Sequence, residues 1–264
     1  MNLQLQDKHV LITGGSKGIG LACAQAFLAE GARVTLVARS ADTLAQAQRT
    51  LKDAAHEGAQ VHTVAADLTN AQAAIDALAQ AQALGGPVDV LVNSAGAAKR
   101  TPAPELTPQA WYDAMQSKFF SYIHMIDPTI KAMAARGQGA IVNVIGNGGK
   151  VASPIHLPGG SANAALMLAT AGLANAYAGQ GIRVNAVNPG STLTERLEKA
   201  IAGDARNNGI TPEVALSRIV EKLPLGRIAR PEEVAQAVVF LASGQASYIT
   251  GANIPMDGGL VPLI

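Results

Sequence analysis

The sequence predicts a single α/β domain built on a doubly wound parallel sheet. Three observations predict it. Short β-branched runs alternate with longer, alanine-rich helical stretches along the whole 264 residues. The short runs are nearly continuously apolar, as in Val88-Asp89-Val90-Leu91-Val92, the pattern of strands covered by helices on both faces. A glycine-rich turn, Thr13-Gly14-Gly15-Ser16-Lys17-Gly18-Ile19-Gly20, joins the first strand to the first helix.

In chain order, the apolar run His9–Ile12 gives the first strand and Gly18–Glu30 the first helix. Arg33–Val37 and Ala41–Ala55 repeat the unit, then Gln60–Ala65 and Asn70–Leu84. Val88–Val92 is followed by the long helical pattern Pro108–Arg136, and Ala140–Val144 by Ser161–Gln180. Arg183–Val187 precedes the most irregular stretch, Ala200–Pro212, where a small substrate-side lobe over 191–224 is expected. Pro231–Ser243 and Tyr248–Ile254 close the series as helix and strand. No linker-like break, internal repeat or low-complexity tract divides the chain.

Composition excludes several classes. With 48% hydrophobic residues and a net charge of +1, the chain is neither disordered nor the strongly basic surface expected of a nucleic-acid binder. Its 27 glycines have no three-residue period, so collagen is excluded. The one cysteine, Cys23, cannot form a disulfide within the chain; it sits in an apolar helical run and reads as a buried structural thiol. That usage suits a cytoplasmic protein. Met1–Lys8 is short and polar, leaving no space for a signal peptide, and no run of 18 apolar residues suggests a membrane span. One cysteine and scattered histidines make no metal set. Neither a Gly-x-Ser-x-Gly hydrolase turn nor a Gly-Lys-Thr/Ser phosphate loop is present.

The glycine turn has a physical purpose. Tight turning needs positive φ, and a bare backbone lets a pyrophosphate approach the helix N-terminus. About twenty residues on, an acidic residue would bind the ribose hydroxyls of NAD, but the second strand ends in Ala38-Arg39-Ser40. A guanidinium there can fork onto a 2′-phosphate, and Lys17 adds a second charge, so NADP(H) is the expected cofactor over NAD(H). The competing reading leaves both as solvated surface charges.

With these motifs the chain resembles the short-chain dehydrogenase/reductase family, over essentially its full length. Thr13-Gly14-x-x-x-Gly18-x-Gly20, with Ser16, Lys17 and Ile19 inside it, matches the family's cofactor turn. Asp67-Leu68 matches its adenine-contacting pair, and Asn93-Ser94-Ala95-Gly96 its Asn-Asn-Ala-Gly with serine second. Asn188-Pro189-Gly190, followed by Thr192 and Thr194, resembles the segment that grips the nicotinamide amide. Arg227, Arg230 to Ala235, Tyr248 to Gly251 and Asp257-Gly258-Gly259 resemble its C-terminal portion. The resemblance implies a Rossmann-like seven-stranded sheet, a nicotinamide cofactor, a small carbonyl or alcohol substrate, and homodimers or homotetramers.

The family works with Asn, Ser, Tyr and Lys, and here this sequence departs from it. Gly146 falls on the serine position, Gly159 on the tyrosine, Asn163 on the lysine and Lys118 on the asparagine. No tyrosine stands between Tyr122 and Tyr177. Lys118, Asn147, His156 and Asn163 are the remaining candidates for catalysis, and Asn163 is also a candidate for the cofactor ribose. The Lys118 amine can protonate an alkoxide or hold an anionic substrate handle. The amide of Asn147 can polarise a carbonyl, and His156 titrates near neutrality. Each has a blander alternative: Lys118 as a salt-bridged lysine, His156 as a loop or interface residue. Tyr122, one helical turn past Lys118, reads as a core or interface aromatic. His9, His56, His62 and His124 have no motif support. Two functions follow: an NADP(H)-dependent oxidoreductase with a rebuilt site, or a catalytically silent NADP(H) binder with a sensing or scaffolding role. Non-redox dehydration or isomerisation in the same cleft ranks last.

Overall fold

Alternation along each strand builds two cores. Val10 and Ile12 face one side of the sheet and Leu11 the other; Val90 and Val92 are likewise divided from Leu91. In the computed structural model, which describes residues 2–54 (Ala54 by backbone only), 58–96 and 98–262, seven parallel strands result. They are β1 (His9–Thr13), β2 (Arg33–Ala38), β3 (Val61–Ala65), β4 (Val90–Asn93), β5 (Gly139–Val144), β6 (Ile182–Pro189) and β7 (Asn253–Met256). Their order is β3-β2-β1-β4-β5-β6-β7, and every junction is parallel.

Helices α1 (Gly18–Ala29), α2 (Ala41–Ala54) and α9 (Pro231–Ala242) cover one face through Phe27, Leu44 and Val238. On the other face α3 (Ala71–Gly85), α5 (Ser121–Ala134) and α6 (Leu157–Tyr177) supply Ala77, Met125 and Leu166. Cys23 is buried among the first group, and burial pushes its thiol up to about 12. The doubly wound class follows directly from this layering. Among the described residues, no helix is long and apolar enough to cross a membrane.

The structure corrects several expected boundaries. The pattern over Pro108–Arg136 is not one regular helix: α4 (Pro108–Ala114) passes into a π-helical stretch, Met115–Phe120, before α5. Ala200–Pro212 is mostly ordered helix. It belongs to α7 (Glu195–Asn208), which ends at Gly209 in the left-handed conformation (φ 62°), and Thr211 then caps α8 (Pro212–Val220). These two helices pack on each other through Ile201, Ala205 and Ala215. The last strand lies later than Tyr248–Ile254, at Asn253–Met256. Tyr248 itself is fully exposed, and Pro255 is tolerated because β7 is an edge strand. Helix α6 starts at Leu157, four residues before the expected Ser161, because Pro158 suits a helix's first turn. Ala55, expected in the second helix, and His56 lie outside the described residues.

Candidate active-site cleft

The strand order reverses between β1 and β4, so the loops leaving these strands diverge and open a cleft at their C-terminal ends. Gly14 has φ 66°, and a Cβ on it would come 2.8 Å from the Ser94 carbonyl and the Ala95 nitrogen. A Cβ on Gly20 would lie 2.3 Å from the Gly14 oxygen. Gly18 also has positive φ, at 54°. These three glycines are therefore required by backbone contact and conformation. The first turn of α1 has no side-chain cap and no acidic residue, which leaves its N–H groups open to an anion. The turn fits a dinucleotide pyrophosphate. Ser16 and Ile19 are half-buried within it.

A chain of polar contacts forms the cleft floor. Thr13 Oγ1 accepts from the Ser94 and Ala95 nitrogens at 3.2 and 3.3 Å and donates to Asn93 Oδ1. Asn93 Nδ2 donates to Asn143 Oδ1, and Asn143 Nδ2 to Thr170 Oγ1, each at 3.0 Å. Strands β1, β4 and β5 are thereby tied to α6. Sequence reasoning overlooked Asn143 and Thr170; a polar residue in the otherwise apolar β5 was the available signal.

At the far end of the groove, Arg39 is exposed just past β2 and Asp67 just past β3. Asp67 Oδ1 accepts from the Thr69 nitrogen and hydroxyl, and these bonds, with the nearby Arg39 charge, lower its pKa. Leu68 is buried, with its carbonyl accepting from His124 Nδ1. Lys17 does not join Arg39. It pairs at 3.0 Å with Glu195 at the start of α7, whose carboxyl Lys199 and Lys17 hold down at about 2.

The chain leading into α7 meets the groove at the segment after β6. Pro189 ends the strand, and Gly190 packs against Asp257 and the Asn147 amide. Thr192 is buried and bridges to Ala229; Thr194 donates to the Thr192 carbonyl and lies against Gly18. Arg196 Nη2 reaches the Gly96 carbonyl at 3.4 Å. Gly96 has φ 103° and lies against the π-helical stretch: a Cβ on it would be 2.6 Å from the Ser117 oxygen and 3.3 Å from Lys118 Cα. That stretch turns Lys118 to the cleft, where its ammonium donates a short hydrogen bond to Oδ1 of buried Asn163. Burial, with Arg196 adding repulsion, lowers Lys118 to about 8. Tyr122 turns instead to the core, donates to the Val144 carbonyl at 2.7 Å, and has its phenol pushed up by burial.

The two glycines beside Asn163 and His156 are unequal. A Cβ on Gly146 would meet only Asn163 Nδ2, at 3.4 Å. The space beside Gly159 is filled: a Cβ there would lie 2.2 Å from His156 Cε1 and 2.5 Å from its Nε2. Among the described residues, buried His156 Nδ1 has no hydrogen-bond partner. Burial, then the charges of Lys118 and Arg100, lower the imidazole pKa. Lys118, His156 and Asn163 thus converge, whereas Asn147 lies towards Gly190. Arg196 and Arg100 escaped the sequence reading. Arg196 follows Thr194 by two residues, so its proximity to the groove was available to infer. His9 is structural, its ring lying within hydrogen-bond distance of the Gly86 carbonyl and the Thr35 hydroxyl.

A family model described as enoyl-(acyl carrier protein) reductase matches residues 14–261. D-threitol dehydrogenase of Mycolicibacterium smegmatis is 37% identical over 98% of this chain and 94% of its own. L-sorbose reductase from Gluconobacter frateurii, solved with NADPH and L-sorbose, superposes with a TM-score of 0.94 and 32% identity over 100% of both chains. An NADPH-bound short-chain oxidoreductase from Pseudomonas aeruginosa, described as containing an atypical catalytic center, gives a TM-score of 0.85 and 29% identity over 97% of this chain and 98% of that one.

Proposed function

The chain belongs to the short-chain dehydrogenase/reductase family, and on that premise we propose that it is an NADP(H)-dependent oxidoreductase of carbonyl and alcohol substrates with a rebuilt proton-transfer site. NADPH-bound relatives of the same fold support the cofactor, as does Arg39 where NAD enzymes carry an acid. The glycine turn would hold the pyrophosphate, Arg39 the 2′-phosphate, and Asn93, Pro189, Gly190, Thr192 and Thr194 would frame the nicotinamide half. Asp67 and Leu68 frame the adenine. Helices α7 and α8 are the substrate-side lobe, and exposed Leu168 on α6 supports self-association through that helix.

One observation carries the mechanism: the His156 ring fills the side-chain space of Gly159, the position that the family resemblance assigns to the proton-donating tyrosine. When bound, the cofactor supplies or accepts a hydride at the substrate carbon. His156 donates the proton to the developing alkoxide in reduction and accepts the hydroxyl proton in oxidation. Lys118 lies near enough to depress the imidazole pKa. Asn163 fixes the Lys118 ammonium through its carbonyl oxygen, leaving its amide N–H groups to face the cleft by Gly146. Asn147 stands apart from these three, with its amide against Gly190.

The test is NADPH oxidation against a panel of ketones, ketoses and keto acids, and NADP⁺ reduction against the matching alcohols. His156→Gln should lower kcat by roughly 10²–10⁴-fold, the range for losing a general acid, with NADPH affinity retained. Tight NADPH binding with no turnover of any compound would favour the silent-binder reading instead. Unchanged turnover in His156→Gln would reject the histidine.

A further inference from the structure

The cleft has an unbalanced charge. Lys118 and Arg100 lie close enough to lower the His156 pKa, Arg196 lies close enough to lower that of Lys118, and among the described residues none of the three cations takes part in an ion pair. Lys118 is held by an amide oxygen, a neutral partner that fixes its direction without cancelling its charge. Arg196 rests on a backbone carbonyl at 3.4 Å, beyond the usual range for an N–H to oxygen bond, so little is lost if it swings to a better acceptor. The Lys118 backbone lies against Gly96, whose carbonyl accepts from Arg196, and the two charges are close enough for Arg196 to lower the Lys118 pKa. At the start of α7, by contrast, Glu195 is paired with both Lys17 and Lys199.

A half-buried ammonium without a counter-charge is unfavourable, and its depressed pKa records that cost. A structural lysine would be relieved by a nearby carboxylate. At a binding site the relief comes from the ligand. The cofactor pyrophosphate is not the natural candidate, because its cradle is the turn at α1, whereas Lys118 lies beside His156 and Asn163 at the chemical end.

We infer that the substrate carries an anionic group, a carboxylate or phosphate, which is held between the Lys118 ammonium and the Arg196 guanidinium beside Gly96, with Arg100 at the outer edge. This rests on the oxidoreductase reading for the word substrate but is tested by binding alone. A fork from Arg196 and a point charge from Lys118 suit such a group.

The experiment titrates NADPH-loaded protein calorimetrically with two matched pairs: pyruvate against methyl pyruvate, and dihydroxyacetone phosphate against dihydroxyacetone. At least one anion should bind about tenfold or more tighter than its neutral partner, as expected for charge-assisted contacts. Lys118→Met and Arg196→Gln should each abolish that preference while the NADPH Kd is unchanged. Arg196 is exposed, so its variant tests the idea even if Lys118→Met does not fold. Equal binding within both pairs, or no binding by either anion, overturns the inference. So does an equal loss of NADPH affinity in the variants, which would assign the cations to the cofactor. An anion that binds in the predicted way without ever being turned over would reject the oxidoreductase reading and leave the anion site standing. Turnover of neutral ketones by a protein indifferent to the anions would do the reverse.

Discussion

His156 and Gly159 share one side-chain volume: the imidazole occupies the space into which any Cβ at position 159 would project. They lie three residues apart at the start of α6, where residues i and i+3 share a face. Gly159→Ala should therefore push the ring out of its position. The expected result is a kcat at least tenfold lower with unchanged NADPH affinity, and a changed His156 signal in imidazole NMR spectra. An alanine variant with full activity would show that the ring position is irrelevant to the chemistry.

The pH dependence has opposite signs in the two directions. Burial, with Lys118 and Arg100 nearby, lowers the His156 pKa below its usual 6.5. Reduction requires the imidazolium, so its kcat/KM should fall as pH rises through that lowered value. Oxidation requires the neutral ring and should rise over the same interval. Lys118→Met removes one of the two depressing charges, so both profiles should shift to higher pH; profiles that stay in position would separate Lys118 from His156.

Lys118 also links pH to stability. Its folded pKa is about 8 against a usual 10.5. Between these values the unfolded chain binds a proton that the folded chain has released, so unfolding free energy rises with pH through this window. Below about 8 both states are protonated and the whole desolvation penalty is present. Urea unfolding at several pH values should show this rise in the natural protein and a flatter profile in Lys118→Met.

Arg39 should set cofactor choice. Replacing it with Asp removes the guanidinium and adds an acceptor for ribose hydroxyls, so the ratio of NADPH to NADH affinity should fall by at least about tenfold, the loss expected for a charge-assisted contact. Lys17→Ala should change it less, because Lys17 points to Glu195. A variant Arg39→Asp that keeps its NADPH preference would reject the assignment.

Two glycines offer opposite stability effects. Gly20→Ala puts a methyl 2.3 Å from the Gly14 oxygen, a backbone contact that cannot yield without distorting the turn. It should destabilise by ~1–3 kcal/mol and weaken NADPH binding. Gly203 lies within α7, and a Cβ there meets nothing within 4 Å among the described residues, so Gly203→Ala should stabilise by ~0.5–1 kcal/mol. Thermal unfolding compares them directly.

The layered fold was legible because each strand is a short apolar run and each helix a longer alanine-rich one, and the period differs between them. Irregular backbone was less legible. Nothing in Met115–Phe120 announces a π-helical stretch, yet that stretch determines where Lys118 points. Asn207-Asn208-Gly209 looks like a loop and is in fact a helix end with its glycine stop. The four candidate residues of the cleft were readable as positions along the chain. That Lys118 and Asn163 touch depends on tertiary packing between elements 45 residues apart. The His156–Gly159 contact was local, and Pro158 marked the helix start that creates it.

The Lys118–Asn163 hydrogen bond has a consequence for descent. An intermediate with lysine at both positions sets two ammonium groups against each other in a half-buried site, and one with asparagine at both has no cation there. Because the two side chains touch, the effect of each change is expected to depend on the other. The arrangement and its transposed form lie two substitutions apart, and a double-mutant cycle over Lys118→Asn and Asn163→Lys measures the coupling between them.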